Sequence, residues 1–215
     1  SKSRLMSGIF SGIIILMNLL DLLFPKKCLE CSKEGRYICS NCISQVLDGT
    51  FDENNFAVFK YRGVIRKAII SLKYKFAYDI CDELIEACVN RLKSSKLRNV
   101  TLVPIPLFWQ RENFRGFNQS EMLGRKIAEK MKWKFIPDLL IRNKNTHPQV
   151  GLKGLARHQN LSGVFSVNPI YNLLPITCNL ILFDDVYTTG STIKEAKKVL
   201  QNAGFNKIYS LTIAR

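Results

Sequence analysis

The sequence predicts an α/β fold in which short buried strands alternate with amphipathic helices. Residues 180–183 are apolar, bounded by polar residues and too few for a helix, which predicts a buried strand. Apolar residues at helical spacing follow from Ile193 onward. The same order occurs earlier, where a predicted strand at 102–106 precedes a helix from Ser120 to about Met131. Strands that end in polar loops and lead into helices are typical of a doubly wound sheet.

Three further segments complete the predicted elements. Residues 56–61 form a predicted strand, and apolar residues at helical spacing follow between 64 and 72. A second amphipathic helix covers residues 79–92, and residues 208–213 form a closing strand. A chain of 215 residues allows one moderate domain with a small appendage.

An acidic pair and a hydroxyl-rich turn follow the strand at 180–183. Asp184 and Asp185 are predicted to end this strand, and the turn consists of Thr188, Thr189, Gly190, Ser191 and Thr192. A helix N-terminus offers unpaired N–H groups and a positive dipole end, and a glycine lets the backbone close around an anion. The carboxylates would accept ribose hydroxyls or bind Mg²⁺ carried by the ligand. The pattern indicates a site for a phosphorylated pentose; the alternative is a capped turn with Ser191 as an ordinary N-cap.

A second loop at a strand end carries two arginines. Arg111 and Arg115 follow the strand at 102–106 and precede the helix at Ser120. In a doubly wound sheet this position suits a second anion subsite, although the pattern by itself is a weak motif.

Two Cys-x-x-Cys pairs occur near the N-terminus, Cys28 with Cys31 and Cys39 with Cys42. Each pair places two thiolates on one tight turn, and a short hairpin between the pairs would bring the turns together as a tetrahedral site. The spacing predicts a structural zinc ribbon, with disulfides or an iron–sulfur cluster as alternatives. A segment with so little apolar content would depend on the metal for its stability.

Basic residues outnumber acidic ones, with 32 Lys and Arg against 17 Asp and Glu and a net charge of +15. This balance favours polyanionic partners such as nucleic acid, phosphate-rich ligands or an anionic membrane; the alternative is a solvated charged face. A basic segment from Arg62 to Lys75, interleaved with Tyr61, Tyr74 and Phe76, would suit a single-stranded nucleic acid. It would equally suit a helix with a charged outer side.

Cysteine usage and the N-terminal segment bear on the compartment. Seven cysteines, of which Cys81, Cys88 and Cys178 lie in apolar settings without regular spacing, indicate a reducing cytoplasm and buried packing positions for those three. Residues 5–20 carry no charge but are fewer than the roughly twenty residues that span a membrane. We expect residues 1–27 to form an amphipathic helix that packs on the protein or a partner, with peripheral membrane contact as the alternative.

Segments along nearly the whole chain resemble the competence-associated ComF family. The residues from 182 to 192 resemble the phosphoribosyl pyrophosphate (PRPP) loop of type I phosphoribosyltransferases. The other matching segments are the four-cysteine finger and residues 61–66, 72–74, 103–106, 115–120, 148–152 and 157–160. Residues 115–119 and 148–152 are particular to the ComF family, so the resemblance extends beyond the fold.

The resemblance implies a Rossmann-like parallel sheet of about five strands, of the type I phosphoribosyltransferase kind, with a zinc ribbon in front of it. It implies PRPP with Mg²⁺ as the ligand and Asp184 and Asp185 as the catalytic residues. The implied PRPP-binding residues are Asp184, Asp185, Val186, Thr188, Thr189, Gly190, Ser191, Thr192, Arg111 and Arg115. The family also implies a role in DNA uptake during natural transformation, on single-stranded DNA beside a helicase partner.

We therefore expect three parts: an amphipathic helix at 1–27, a zinc ribbon at 28–50 and a phosphoribosyltransferase-like domain at 51–215. Two functions are consistent with them, because a fold does not establish a chemistry. One is a cytoplasmic competence factor that binds single-stranded DNA and retains a PRPP pocket, with the membrane periphery as an alternative location. The other is an active, Mg²⁺-dependent phosphoribosyltransferase with an unidentified acceptor, unrelated to DNA uptake.

Overall fold

A parallel sheet of five strands forms the centre of the described structure. In the computed structural model the described residues are 25–47, 54–74, 78–94, 99–108, 117–144, 163–171 and 179–215. The helices and strands in chain order are α1 (Ser40–Ser44), β1 (Asn55–Phe59), α2 (Gly63–Tyr74), α3 (Tyr78–Leu92), β2 (Val100–Pro104), α4 (Gln119–Met131), β3 (Lys134–Phe135), β4 (Leu140–Arg142), β5 (Phe165–Val167), β6 (Asn179–Val186), α5 (Ser191–Asn202) and β7 (Ile208–Ala214). The sheet order is β1-β7-β6-β2-β3, and β4 and β5 form a separate antiparallel pair. The predicted parallel sheet of about five strands is confirmed.

The two faces of the sheet carry different layers, because the side chains of β6 alternate between them. Ile181 and Phe183 belong to the core formed with α2, α3 and α4, whereas Leu180 and Leu182 belong to the core formed with α5 and the β4–β5 pair. All four side chains are fully buried, as the apolar run predicted. Burial of each such side chain stabilises the fold by about 1.5–3 kcal/mol, so β6 contributes to both layers.

Strand β6 runs further than the sequence predicted. Asp184 and Asp185 do not end the strand, because it continues to Val186. The ladder with β7 places Asp184 opposite Thr212 and Val186 opposite Ala214. Backbone groups make this ladder, so polar side chains do not interrupt it. The two carboxylates are consequently carried by a paired strand and not by a loop.

The chain reverses its direction across the sheet between β2 and β6. From β2 it passes through α4 to β3 on one side, and from β6 it passes through α5 to β7 on the other. Helices α4 and α5 cover opposite faces of the sheet. The crevice between the carboxyl ends of β2 and β6 is therefore a topological switch point, the place where open α/β sheets bind ligands.

Several predicted features lie outside the described residues. They are most of the N-terminal helix at 1–27, Arg111, Arg115 and Cys178. Cys81 and Cys88 are buried, as expected of packing residues. Within the described ranges, no helix is both long and apolar enough to cross a membrane.

Candidate functional site

Two hydrogen bonds hold the Asp184 carboxylate at the end of β6. Its Oδ1 accepts from the Ser120 hydroxyl at 2.8 Å and from the Asp185 backbone N–H at 2.9 Å. Ser120 lies in the first turn of α4, so this contact joins the two elements that border the switch point. Both carboxylates are half-buried.

The first turn of α4 is fixed to the end of β2 as well. Asn118 is the N-cap residue, and its Oδ1 accepts from the backbone N–H groups of Ser120 and Glu121 at 3.1 and 3.3 Å. Its Nδ2 donates to the carbonyl oxygen of Ile105 at 3.3 Å. Asn118, Gln119 and Ser120 are all buried. Buried polar side chains stabilise a structure when they are paired, so the hydrogen bonds of Asn118 and Ser120 position the start of α4.

In the turn after β6, the backbone at Gly190 closely approaches the side chain of Tyr187. Gly190 has a φ of +69°, and a Cβ placed on it would overlap the ring of Tyr187. Helix α5 begins at Ser191 with Gly190 as its N-cap residue and without a side-chain cap. The alternative interpretation of Ser191 as an N-cap is therefore wrong, and its hydroxyl bonds to that of Thr189 at 2.8 Å. A helix start without a side-chain cap, behind a glycine turn, is an arrangement that binds phosphate.

Tyr187 connects this turn to the neighbouring strand. Its backbone N–H donates to the carbonyl oxygen of Ala214 at 2.8 Å, and the guanidinium of Arg215 lies 5.2 Å from its ring centroid. The Arg215 backbone N–H donates to the carbonyl oxygen of Phe59 at 3.0 Å. The ring is thus packed against Gly190 and under a cation, a contact worth about 0.5–1 kcal/mol where it is exposed. This packing defines the path of the turn.

The four predicted cysteine ligands come together. The sulfur atoms of Cys28, Cys31, Cys39 and Cys42 all lie within 4.8 Å of one another. An antiparallel bridge between Lys27 and Glu34 closes the turn that carries Cys28 and Cys31. All four cysteines are free thiols, and a set of four sulfurs at this spacing can bind a metal ion.

The pKa values of two thiols in the cluster favour a site that binds a cation. Burial opposes ionisation of Cys28, but hydrogen bonds from backbone N–H groups, including those of Cys31 and Cys39, lower its pKa to about 6. Burial and the neighbouring thiols raise the pKa of Cys42 to about 12. One thiolate therefore forms readily at neutral pH, whereas four adjacent thiolates require a positive charge to balance them.

The cysteine hairpin is docked on α3 by a half-buried acceptor. The Glu83 carboxylate accepts from the backbone N–H groups of Tyr37 and Ile38 at 3.2 and 2.8 Å. Arg36 forms an ion pair with Glu86 at 2.7 Å at the same contact. Further bonds across this boundary are Lys26–Asp79, Lys67–Glu30, Arg62 to the Gln45 carbonyl and Arg91 to the Leu47 carbonyl. The four-cysteine segment therefore has a defined orientation on the sheet domain.

Comparisons with known proteins identify the family. No family model matches the chain. The chain is 31% identical to competence protein F of Haemophilus influenzae over 206 residues, which cover 87% of this chain and 84% of that protein. It is 26% identical to competence protein ComFC of Streptococcus pneumoniae over 96% of this chain and 93% of that protein. The chain belongs to the competence protein F family, as the resemblance in the sequence indicated.

Three other matches are shorter or more distant. DNA utilization protein YhgH of Escherichia coli K12 is 32% identical over 105 residues, which cover 48% of this chain and 44% of that protein. Among solved structures, adenine phosphoribosyl transferase of Trypanosoma brucei has a TM-score of 0.46 and 12% identity over 76% of this chain and 73% of that chain. The allosteric regulatory enzyme of purine biosynthesis has a TM-score of 0.42 and 14% identity over 63% of this chain and 26% of that chain.

Sequence reasoning located part of this site and missed the rest. The acidic pair, the hydroxyl-rich turn and the four cysteines were all predicted, and the structure brings the members of each group together. The contributions of Ser120, Tyr187 and Arg215 were missed. Their partners lie across the fold, and the clearest signal in the sequence was the polar run Asn118-Gln119-Ser120 at the start of a predicted helix.

Proposed function

We propose that this protein binds Mg²⁺–PRPP at the switch point between β2 and β6 and acts in DNA uptake. The observation that carries the proposal is the pairing of two sites at one sheet edge. Asp184, at the end of β6, is held by Ser120. Gly190 lies four residues beyond the end of that strand, and helix α5 begins directly after it without a side-chain cap. The first offers acceptors and the second offers donors, as a ribose carrying a phosphate requires.

The chemistry of each group follows from its charge. The 5′-phosphate would lie on the N–H groups and hydroxyls of residues 188–192, and the ribose hydroxyls would donate to Asp184 and Asp185. Mg²⁺ prefers carboxylate and phosphate oxygens, so the same carboxylates suit the ion that PRPP carries. Arg111 and Arg115 would neutralise the pyrophosphate. If the protein transfers phosphoribose, the rate acceleration would come mainly from stabilisation of the charge that develops at C1′ and on the leaving pyrophosphate.

Calorimetric titration with PRPP and Mg²⁺ tests the pocket. We expect binding to the wild type and its loss in Asp184→Ala/Asp185→Ala, because that variant removes the hydroxyl acceptors. Asp82→Ala is the control: it also removes a carboxylate, but one on α3 that pairs with Lys126. Binding that survives in the double variant, or none in the folded wild type, would contradict the proposal. Pyrophosphate release in the presence of nucleobases, amines or DNA would then identify a transferase.

The role in DNA uptake rests on the family and on charge. The matched relatives are named for competence and DNA utilization, and the net charge of +15 favours a polyanion. Within the predicted basic segment, Arg62 and Lys67 contact the cysteine segment, while Arg66 on α2 is exposed. We propose that α2 contributes to a surface for single-stranded DNA, beside a helicase partner of the uptake machinery.

Fluorescence anisotropy with a labelled oligothymidylate tests this surface. We expect the affinity to fall steeply with salt, since neutralised phosphates release counterions at about 0.7 per contact. Arg66→Glu should weaken binding more than Lys198→Glu, which makes the same charge change at an exposed position on α5, on the other face of the sheet. Equal effects of the two variants would remove α2 from the interface, and salt-insensitive binding would contradict the electrostatic mode.

We propose Zn²⁺ as the ion of the four-cysteine cluster. A closed set of four thiolates is typical of a structural zinc site, because it leaves no open coordination position. The ion would hold the hairpin that Glu83 docks on α3, and it would supply stability to a segment with few apolar residues.

A further inference from the structure

A cavity of about 320 Å³ lies where the four-cysteine segment (residues 25–47), β1 and α3 meet. Its surface is mostly apolar, and its lining contains none of the residues assigned to PRPP. The apolar side chains come from all three parts of the fold: Ile38, Ile43, Leu47, Phe59 and Ala87. A cleft of this size, with an apolar lining and a few polar groups, is typical of sites that bind small molecules.

The charged groups around the cavity include one cation that lacks an acidic partner. Arg36 pairs with Glu86 at 2.7 Å and lies 3.8 Å from Glu83. Arg91 also lines the cavity, and its Nη2 donates to the carbonyl oxygen of Leu47 at 3.0 Å. Within the described ranges Arg91 forms no ion pair, and its Nε is without a hydrogen-bond partner. The protein therefore leaves the charge of this guanidinium uncompensated.

The charge balance of the lining limits the kind of ligand that it suits. Arg91 is only half-buried, so its guanidinium is not enclosed in the core. A guanidinium matches the planar, paired oxygens of a carboxylate. The lining contains two arginines and two glutamates, so it carries no excess of positive charge. Glu83 and Glu86 would repel a ligand with several negative charges, such as a phosphate chain or nucleic acid.

We propose that this cavity binds a small monocarboxylate with an apolar body. The apolar body would lie against the aliphatic side chains of the lining, and the carboxylate would accept hydrogen bonds from Arg91. Because the walls belong to the four-cysteine segment and to α3, a bound ligand would also stabilise the contact between them. This site is separate from the PRPP pocket and does not depend on the proposed function.

Two probes of nearly the same shape test whether the site recognises a carboxylate. They are N-acetylphenylalanine, which is an anion, and its neutral analogue N-acetylphenylalaninamide. Each is titrated into the isotope-labelled full chain, loaded with zinc, and binding is followed by amide chemical shifts. We expect the carboxylate to bind with a Kd of about 1 mM or less. The amide should bind about tenfold more weakly, because hydrogen bonds between two charged groups are the stronger ones.

Three variants separate the contributions of charge and space. Ala87→Leu fills the cavity and keeps every charge, so it should weaken the binding of both probes. Arg91→Met removes the cation and should abolish the preference for the carboxylate. Lys198→Met is the matched control, because it also removes one positive charge, at an exposed position of α5, and should change neither affinity. Melting temperatures establish that each variant is folded.

The outcomes that would overturn the proposal are specific. They are equal affinities of the two probes in the wild type, no binding of either at about 10 mM, or shifts that lie outside the four-cysteine segment and α3. A preference for the carboxylate that persists in Arg91→Met would do the same. If Arg91→Met does not fold, Ala87→Leu decides, and unchanged binding in that variant overturns the proposal. PRPP binding should be unaltered in Ala87→Leu, so failure of this site and failure of the PRPP pocket are distinguishable.

Discussion

Gly190 meets two independent requirements in the turn after β6. Its φ of +69° lies in the left-handed region, and the ring of Tyr187 occupies the space that a Cβ would need. Other residues pay about 1–2 kcal/mol in this conformation. The backbone conformation affects stability, whereas the steric contact with Tyr187 affects the shape of the proposed phosphate site. Stability and ligand affinity can therefore be measured separately.

Gly190→Ala should therefore lower both stability and PRPP affinity. Gly163→Ala is the matched control, because Gly163 has the same φ of +69° but, among the described residues, its Cβ would meet only the Lys144 Nζ at 3.6 Å. We expect both variants to lose about 1–2 kcal/mol of unfolding free energy in denaturant titrations. Only Gly190→Ala should lose PRPP binding in calorimetry, by tenfold or about 1.4 kcal/mol or more. Equal affinities in the two variants would show that the Tyr187 contact does not shape the site.

At the level of elements, the contact between the cysteine hairpin and α3 centres on the Glu83 carboxylate and the two backbone N–H groups that donate to it. Glu83 is 15% exposed at its side chain and accepts two backbone N–H bonds, whereas the Arg36–Glu86 pair beside it is more than half exposed on both sides. Exposed ion pairs contribute about 0–1 kcal/mol, and hydrogen bonds to a charged acceptor contribute about 1.5–3 kcal/mol. Glu83 should therefore dominate the docking.

Glu83→Gln should loosen the hairpin, since the amide keeps the shape but can accept at only one oxygen. We expect faster hydrogen exchange at the N–H groups of Tyr37 and Ile38, and a loss of about 1–3 kcal/mol in unfolding free energy. Glu86→Gln is the matched control on the same helix and should change exchange little. A larger effect from Glu86→Gln would assign the docking to the surface pair.

The strands and helices were predictable where their signals are local. The apolar run at 180–183 and the helical spacing after Ile193 identified β6 and α5 correctly. The end of β6 was misplaced because Asp has a low strand propensity, while its ladder is supplied by β7, which is close only in the fold. The role of Ser120 was missed for the same reason: its partner Asp184 is 64 residues away. Motifs within one turn can be predicted from sequence, and contacts between elements cannot.

At the scale of the whole molecule, the four-cysteine cluster and the sheet share one core. Cys28 and Cys42 are buried in the same cluster as α2, α3 and the inner residues of β6. The second cluster, under α5, contains none of the four cysteines. Loss of the ion should therefore affect one layer of the protein directly and the other only indirectly.

Metal removal by a strong chelator should unfold residues 25–47 before the sheet. We expect hydrogen exchange to rise first in this segment and in the adjacent α3, with protection of β6 and β7 retained, because their ladders do not include the hairpin. Cys31→Ala should reproduce this state and make the protein insensitive to the chelator. A single cooperative unfolding of all elements, or a chelator effect that persists in Cys31→Ala, would contradict a separate structural metal site.

The strand order has a consequence for synthesis on the ribosome. Strand β1, near the start of the described chain, pairs with β7, where Asn55 lies opposite Ser210 and Phe59 opposite Ala214. These partners are separated by 155 residues of chain, so among the described strands β1 has no neighbour in the sheet until β7 has been synthesised. Pairings of such long range form late. The nascent protein must therefore keep the edge of β1 shielded until β7 has been synthesised.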